Sequence, residues 1–125
     1  MDRLIQGSQL MKEVFGVETA EQVHNHLEAI SPPFLDFLKS TFSDIYSDQT
    51  LDLTTKEIIV LTTLITQKDA KPQLKTHIKA AIRAGLTPKE IYALILQLVL
   101  YVGFPTAINA LNTAKETFDE MAIKP

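Results

Sequence analysis

Glycine and proline divide this chain into stretches that each have the apolar spacing of an amphipathic α-helix. Three glycines follow the ends of such stretches and four prolines stand near the starts of others: Gly16, Gly85 and Gly103, and Pro32, Pro72, Pro88 and Pro105. Helices favour proline in their first turn and glycine just beyond their last turn. The chain has no Asn-Gly or Asp-Gly hairpin turn and no sustained alternation of apolar and polar residues. The pattern therefore predicts an all-α fold.

The boundaries predict six to seven helices. These helices span residues 8–15, 19–30, 32–45, 54–67, 72–85, 87–102 and 105–121. Two of them begin with the Thr-x-x-Glu spacing of a capping box, at Thr54 with Glu57 and at Thr87 with Glu90. No repeat, low-complexity tract or linker separates the segments, so residues 1–125 are predicted to form a single domain.

The helix predicted at residues 87–102 is apolar on nearly all sides. Only Glu90, Gln97 and Tyr101 form a polar seam along it. A helix of this kind must be covered nearly all round, and a chain of 125 residues offers little cover. We therefore expect a second copy of the chain to cover part of this helix in a homo-oligomer.

Composition excludes several classes of function. The net charge is -3, from 12 basic and 15 acidic residues, so a nucleic-acid partner is not expected. The chain has no cysteine, which excludes disulfides, thiolate metal sites, Fe–S clusters and cysteine nucleophiles. It also lacks the glycine motifs that bind nucleotide phosphates and dinucleotides, and no cofactor is expected.

No segment has the pattern of a membrane span or a secretion signal. The most apolar run, residues 91–104, has 14 residues and contains Gln97, whereas about 20 residues are needed to span a bilayer. The opening sequence MDRLIQ lacks the charged-then-apolar order of a signal peptide. We expect a cytoplasmic protein without a membrane partner.

His77 is the best candidate for acid/base chemistry. At about 100° per residue, it falls about 80° from the centre of the apolar stripe of its predicted helix, where a side chain can face a pocket. Imidazole titrates close to neutral pH, so a modest change of environment lets it donate or accept a proton. The alternative is a histidine at the edge of the core whose hydrogen bonds are satisfied within the protein.

Glu57 allows two interpretations. It lies within about 40° of the centre of the apolar stripe of its predicted helix. In a packed helix its carboxyl group would therefore point inward and carry a proton or orient an imidazole. Glu57 is also the third residue after Thr54, where it would instead accept a hydrogen bond from the backbone at the helix start.

The helix that carries His77 also has a row of lysines. Lys71, Lys75 and Lys79 are spaced four residues apart. They would form either a cationic rim that attracts a carboxylated substrate or a solvated face, which is the commoner case. Gln73 lies one turn before His77 and would either share its pocket or stand at the surface.

His24 and His26 do not predict a metal site. Positions i and i+2 lie about 200° apart around a helix, so the two imidazoles cannot hold one ion. No acidic cluster joins them at ligand spacing, and no metal is expected.

The second half of the chain resembles the carboxymuconolactone decarboxylase family. The segments that carry the resemblance are TKEIIV at 55–60, LKTHIKAAIRAG at 74–85, TPKEI at 87–91 and YVGFPTAINA at 101–110. It covers about residues 50–120, and residues 1–49 are similar to the helical N-terminal extension of the family's decarboxylase branch. The resemblance implies the all-helical alkylhydroperoxidase D-like fold and ring-shaped homo-oligomers, typically hexamers built as trimers of dimers.

The resemblance also separates two kinds of chemistry. The peroxidase branch of the family carries Cys-x-x-Cys-x-x-x-His, whose histidine matches His77. The two cysteine positions match Ala70 and Gln73 in this chain. Reduction of a peroxide by a dithiol needs both thiols, so thiol peroxidase activity is excluded.

The decarboxylase branch removes carbon dioxide from a carboxylated muconolactone without cysteine or cofactor. The resemblance implies His77 as the proton donor to carbon and Glu57 as its orienting or relaying partner. Gln97 stands where that branch carries a second histidine, and Lys56 stands near its arginine. Gln97 cannot exchange a proton, and Lys56 lacks the bidentate geometry of arginine, so the same substrate is not implied.

The chain is therefore predicted to be a cofactor-free lyase or proton-transfer enzyme acting on a small carboxylated lactone or keto acid. Gln73, Gln97 and Tyr101 are the candidate substrate-binding residues. The alternative is a non-catalytic oligomeric binding or scaffold protein of the same fold.

Overall fold

A computed structural model describes residues 2–124, and within them it has seven helices and no strand. The helices are α1 (Arg3–Phe15), α2 (Val17–Ile30), α3 (Pro32–Tyr46), α4 (Leu53–Gln67), α5 (Lys71–Ala84), α6 (Pro88–Val102) and α7 (Phe104–Glu120). The predicted all-α fold is confirmed. Over the same residues, no helix is long and apolar enough to cross a membrane. The cytoplasmic location stays a prediction.

The helices form two compact units that divide between Asp52 and Leu53. The first unit contains α1, α2 and α3, and the second contains α4 to α7. The two end residues of the domain predicted at 1–125, Met1 and Pro125, lie outside the described residues. A single-domain organisation stays a prediction.

In the first unit, α1 begins at Arg3 rather than at residue 8 as predicted. The side chain of Asp2 caps this earlier start by accepting hydrogen bonds from two backbone N–H groups of the first turn. Gly7 is accommodated within the helix because α1 packs closely on α3. A Cβ atom at Gly7 would lie 2.0 Å from the carbonyl oxygen of Lys39.

The first unit has a small apolar core of its own. Met11, Val14, Leu35 and Phe42 are buried, and the rings of Phe42 and Tyr46 stack with centroids 4.1 Å apart. The core therefore joins residues of α1 and α3, the two helices that Gly7 brings into close contact.

In the second unit, four helices share a larger core. A connection of only three residues, 68–70, joins α4 to α5, so these helices pack as an antiparallel pair. The core is apolar and uses alanine on α7, which lets that helix approach its neighbours closely: Leu61, Ile65, Leu74, Ile78, Ile91, Ile95, Ala107, Ala110, Ala114 and Phe118.

The boundary between α5 and α6 follows local sequence. Gly85 has a φ of 116° and ends α5 with a hydrogen bond from its N–H to the carbonyl of Ile82 at 3.1 Å. Thr87 and Glu90 then form both hydrogen bonds of a capping box at the start of α6. The capping box predicted at this position is confirmed.

Candidate active site

Glu57 on α4 and His77 on α5 face each other across the antiparallel pair. The Oε2 atom of Glu57 lies 3.3 Å from Nδ1 of His77. The two residues are 20 positions apart in sequence, so the packing of α4 against α5 creates the contact. When Glu57 is ionised, its carboxylate only accepts hydrogen bonds, and the imidazole Nδ1–H is then the donor in this contact.

The carboxyl group of Glu57 is buried and incompletely bonded. Its side chain is 0% exposed, whereas that of His77 is 18% exposed. Among the described residues, its Oε1 atom has no hydrogen-bond partner. Burial of a polar atom without a partner costs free energy of folding, so Glu57 is poorly explained as a stabilising residue. Such groups are candidates for proton transfer.

The capping-box interpretation of Thr54 and Glu57 is wrong. Helix α4 begins at Leu53, so Thr54 lies inside the helix rather than at its N-cap. Glu57 directs Oε2 at His77, and its Oε1 has no partner in the described part of the chain. The structure thus favours the inward-facing interpretation of Glu57.

The lysine row on α5 forms ion pairs with α7. Lys71 lies 3.1 Å from Glu116, and Lys75 lies 3.3 Å from Glu116 and 2.6 Å from Glu120. Lys79 lies 3.9 Å from Glu120. The row is therefore neither an open cationic rim nor simply a solvated face. Lys75 pairs with Glu116 and Glu120, the carboxylates 41 and 45 residues further along the chain.

These pairs favour the charged forms of Lys75 and Glu116. The hydrogen bond to Glu120 raises the pKa of Lys75, and Glu116 adds to the effect. The pKa of Glu116 is lowered, first by its hydrogen bond from Lys71 and then by that from Lys75. The network thus links α5 to α7, and because Lys75 and Lys79 are each two positions from His77, it lies about 160° around α5 from the imidazole.

The three candidate substrate-binding residues are on exposed positions. Gln73 is exposed on α5, one turn before His77. Gln97 lies about 160° around α6 from Ile95, which is buried in the core. Gln97 and Tyr101 are both exposed. Their role in substrate binding stays a prediction.

One face of α6 and the start of α7 exposes large apolar side chains. Leu96 is 74% exposed, Leu100 84%, Tyr101 78% and Phe104 69%. The core covers only the opposite side of α6. Leu96 and Leu100 are among the side chains that make the helix apolar on nearly all sides, and they are exposed on the surface of this chain.

The histidines of α2 lie in the first unit. His24 is partly buried and His26 is exposed. Over residues 2–124, no three His, Asp or Glu side chains are placed so that they could hold a metal ion.

Sequence reasoning missed a cavity of about 400 Å³ in the second unit. It lies where the C-terminal end of α4 meets the N-terminal ends of α5 and α7. Its lining residues lie within the ranges 64–74 and 105–113, and no single sequence motif contains both ranges. The break between α4 and α5 at Lys68 is the only sequence signal that could have located the cavity.

Comparisons with known proteins agree with the motifs. The sequence profile of the carboxymuconolactone decarboxylase family matches residues 32–116. A 4-carboxymuconolactone decarboxylase of Acinetobacter baylyi is 26% identical, over 98% of this chain and 92% of its own length. A nitrosuccinic acid decarboxylase, npaB, of Metarhizium robertsii is 26% identical, over 95% of this chain and 83% of its own length. An uncharacterized 15.0 kDa protein of Paracoccus denitrificans, from the nqo9-nqo10 intergenic region, is also 26% identical, with coverage of 94% and 90%.

Proposed function

Because the chain belongs to the carboxymuconolactone decarboxylase family, we propose that it is a cofactor-free carboxy-lyase acting on a small carboxylated lactone or keto acid. The observation that carries this proposal is the contact between the buried carboxyl group of Glu57 and the imidazole of His77. It pairs an imidazole, the side chain most often used in general acid–base catalysis, with a carboxyl group that orients it.

The named relatives support the reaction class more than a particular substrate. Two of them are decarboxylases, one of 4-carboxymuconolactone and one of nitrosuccinic acid. These two acids differ, since one name specifies a lactone and the other a nitro compound. What the two names share is the loss of a carboxyl group, which is the reaction proposed for this chain.

The chemistry assigns a distinct task to each residue. When the carboxylate leaves as carbon dioxide, the electrons of the broken C–C bond move into the adjacent carbonyl system, and a proton must reach the substrate. Donation of Nδ1–H to Glu57 Oε2 fixes the imidazole tautomer, so Nε2 of His77 is the atom that exchanges this proton. Glu57 balances the positive charge whenever the imidazole is protonated.

We further propose that a second copy of the chain covers the exposed face formed by Leu96, Leu100, Tyr101 and Phe104. These four side chains carry no charge, so two copies of the face can meet without like-charge repulsion. A hexamer built as a trimer of dimers is the proposed assembly. We also propose that neither a nucleic acid nor a membrane is a partner of this protein.

Light scattering coupled to size exclusion tests the assembly. We expect a mass several times the 14.0 kDa of one chain at micromolar concentration. Leu100→Glu should shift the mass toward the single chain, whereas Lys89→Glu, at an exposed position near the start of α6, should not. A wild-type mass of 14.0 kDa would contradict the proposal.

A carbon dioxide release assay tests the proposed reaction. The wild-type protein is screened against carboxylactones and β-keto acids, and the kcat of His77→Ala is measured on the acid that reacts. We expect a fall of about 100-fold to 10,000-fold, the usual contribution of a positioned acid/base group. His26→Ala, which removes an exposed histidine from α2, is the matched control and should keep full activity.

Full turnover by His77→Ala would contradict the assignment of His77. Release of carbon dioxide from none of the acids would contradict the lyase proposal and support the non-catalytic binding protein instead.

A further inference from the structure

The cavity at the turn between α4 and α5 has the size of a ligand site. Its volume is about 400 Å³, within the range of about 300–1,000 Å³ that small-molecule pockets occupy. All of its lining residues belong to the second unit. Three helix ends converge there, because α4 ends, and α5 and α7 begin, at this point.

The charge of the cavity lining is positive. Lys68 and Lys71 are among its lining residues, which include no carboxylate. Within residues 2–124, no ion pair engages the ammonium group of Lys68. Lys71 pairs with Glu116 at 3.1 Å, but Glu116 divides its charge between Lys71 and Lys75. An anion would therefore meet positive charge that is only partly balanced.

Neutral hydrogen-bond donors complete one side of the cavity. Thr106, Asn109 and Asn112 contribute a hydroxyl and two amide groups, and in the described part of the chain these side chains bond to no other residue. The N-caps of α5 and α7 are Ala70 and Gly103, and neither makes a side-chain cap hydrogen bond. Helix N-termini of this kind favour negative charge.

The other side of the cavity is apolar. Leu64, Ile65, Leu74 and Ala110 line it, and most of these residues belong to the core of the second unit. An occupant that satisfies both sides must combine an anionic group with an apolar body. A bare inorganic anion would leave the apolar lining in contact with water.

The backbone at Lys68 adds an independent observation. This residue has a φ of 73°, in the left-handed region that glycine adopts at much lower cost. The turn alone would therefore favour glycine at position 68. A lysine there brings a long cationic side chain into the lining of the cavity.

Neither Glu57 nor His77 is among the residues that line the cavity. Glu57 precedes Ile65 by eight residues, which is about 12 Å along α4. Leu61, which is 0% exposed, lies between them on the same face of the helix. An occupant of the cavity would therefore not reach Glu57 by way of α4.

From these observations we propose that the cavity is a second binding site, for a small organic carboxylate with an apolar body. Lys68 and the amides of Asn109 and Asn112 bind the carboxylate, and the leucine and isoleucine side chains contact the apolar body. The site does not depend on the proposed carboxy-lyase activity.

Calorimetry and methyl NMR with three probes test this site. Benzoate combines a carboxylate with an apolar ring, benzamide keeps the ring without the charge, and inorganic phosphate keeps the charge without the ring. We expect saturable benzoate binding that shifts the methyl signals of Ile65 and Leu64, with weaker binding of both other probes. Added salt should weaken benzoate binding, because the contact is ionic.

Variants distinguish this site from bulk surface charge and from the Glu57–His77 pair. Lys68→Ala should weaken benzoate binding about tenfold or more, as loss of a charged hydrogen bond does. Lys68→Gly should weaken benzoate binding to the same extent. Because glycine adopts the left-handed backbone conformation of position 68 without strain, unfolding would not explain a loss of binding in this variant. Lys89→Ala, at an exposed lysine outside the cavity, and His77→Ala should both leave the affinity unchanged.

Three outcomes would overturn the proposal. The first is equal affinity for benzoate and benzamide, which would make the cavity merely apolar. The second is unchanged affinity in Lys68→Ala and Lys68→Gly. The third is loss of benzoate binding in His77→Ala, which would place the probe at the proposed catalytic pair and leave the carboxy-lyase proposal standing.

Discussion

Helix α5 makes two contacts with carboxyl groups, and the two contacts differ in burial and in the number of partners. Lys75 reaches Glu116 and Glu120 near the surface, where the three side chains are 23%, 46% and 44% exposed. His77, two residues further along, faces Glu57, whose side chain is 0% exposed. Lys75 has two carboxylate partners, whereas Glu57 has one contact and an oxygen without a partner in the described chain.

The difference separates contacts that hold the helices together from a contact suited to chemistry. Exposed ion pairs contribute little individually to the free energy of folding. A buried carboxyl group costs desolvation free energy that one hydrogen bond does not fully return. The burial of Glu57 is therefore better explained by its effect on His77 than by stability.

The largest expected effect follows from replacing the Glu57 carboxylate with an amide. Glu57→Gln keeps the size of the side chain but cannot balance a charged imidazole. We expect kcat for decarboxylation to fall about 100-fold or more, with little change in the urea midpoint of unfolding. Steady-state kinetics and urea titration of the same preparation measure both quantities.

Glu116→Gln is the matched control for that substitution, since it removes one carboxylate from the exposed network. It should leave kcat unchanged. Equal losses of activity in both variants would show that a general electrostatic effect, rather than the buried pair, governs the rate.

A smaller effect is expected on stability when Glu57 becomes apolar. Glu57→Leu removes the oxygen that lacks a partner and keeps a comparable volume. The free energy of unfolding should stay within about 1 kcal/mol of the wild type or rise, because loss of the contact with the partly exposed His77 is offset by removal of a buried oxygen that has no partner. Chemical unfolding followed by circular dichroism gives this value. A loss above about 3 kcal/mol would mean that the pair stabilises the fold.

Loss of one carboxylate from the exposed network should have a smaller effect on stability, and that effect should depend on salt concentration. In Glu116→Gln, Lys71 loses its carboxylate partner while Lys75 keeps Glu120. We expect a small decrease in stability at low ionic strength that disappears at molar salt, because salt screens exposed charges. A decrease that persists at molar salt would show that Glu116 acts through packing instead.

The smallest expected effect is the pH dependence of the stability difference between the wild type and Glu116→Gln. The pKa of Glu116 is lowered in the folded chain, first by the hydrogen bond from Lys71. Its contribution is therefore present above the pKa of the unfolded chain and is lost as pH falls through the lower folded-state value. Urea titrations from neutral pH into acid should show wild type and Glu116→Gln converging. A gap that widens in acid would reverse the sign of this linkage.

The sequence predicts those parts of the fold that depend on neighbouring residues. The end of α5 at Gly85 and the capping box of Thr87 and Glu90 involve residues at most four positions apart. The start of α1 was missed because Gly7 within a helix is explained only by the close packing of α1 on Lys39 of α3. Local patterns carry no record of such contacts.

The site could be predicted only in part for the same reason. Helical periodicity placed Glu57 on an inward face, but its contact with His77 arises from the packing of two helices. The partners of Lys75 lie 41 and 45 residues away on α7, beyond the reach of spacing within α5. The left-handed backbone of Lys68 has no local sequence indication, because glycine is absent there.

A double-mutant cycle on kcat tests most directly whether Glu57 and His77 act as one acid/base unit. The rates of wild type, Glu57→Gln, His77→Ala and the double variant are measured on the same acid. If Glu57 acts through His77, the double variant should be no slower than His77→Ala alone. If the two single losses multiply in the double variant, the residues act independently and the proposed pair is wrong.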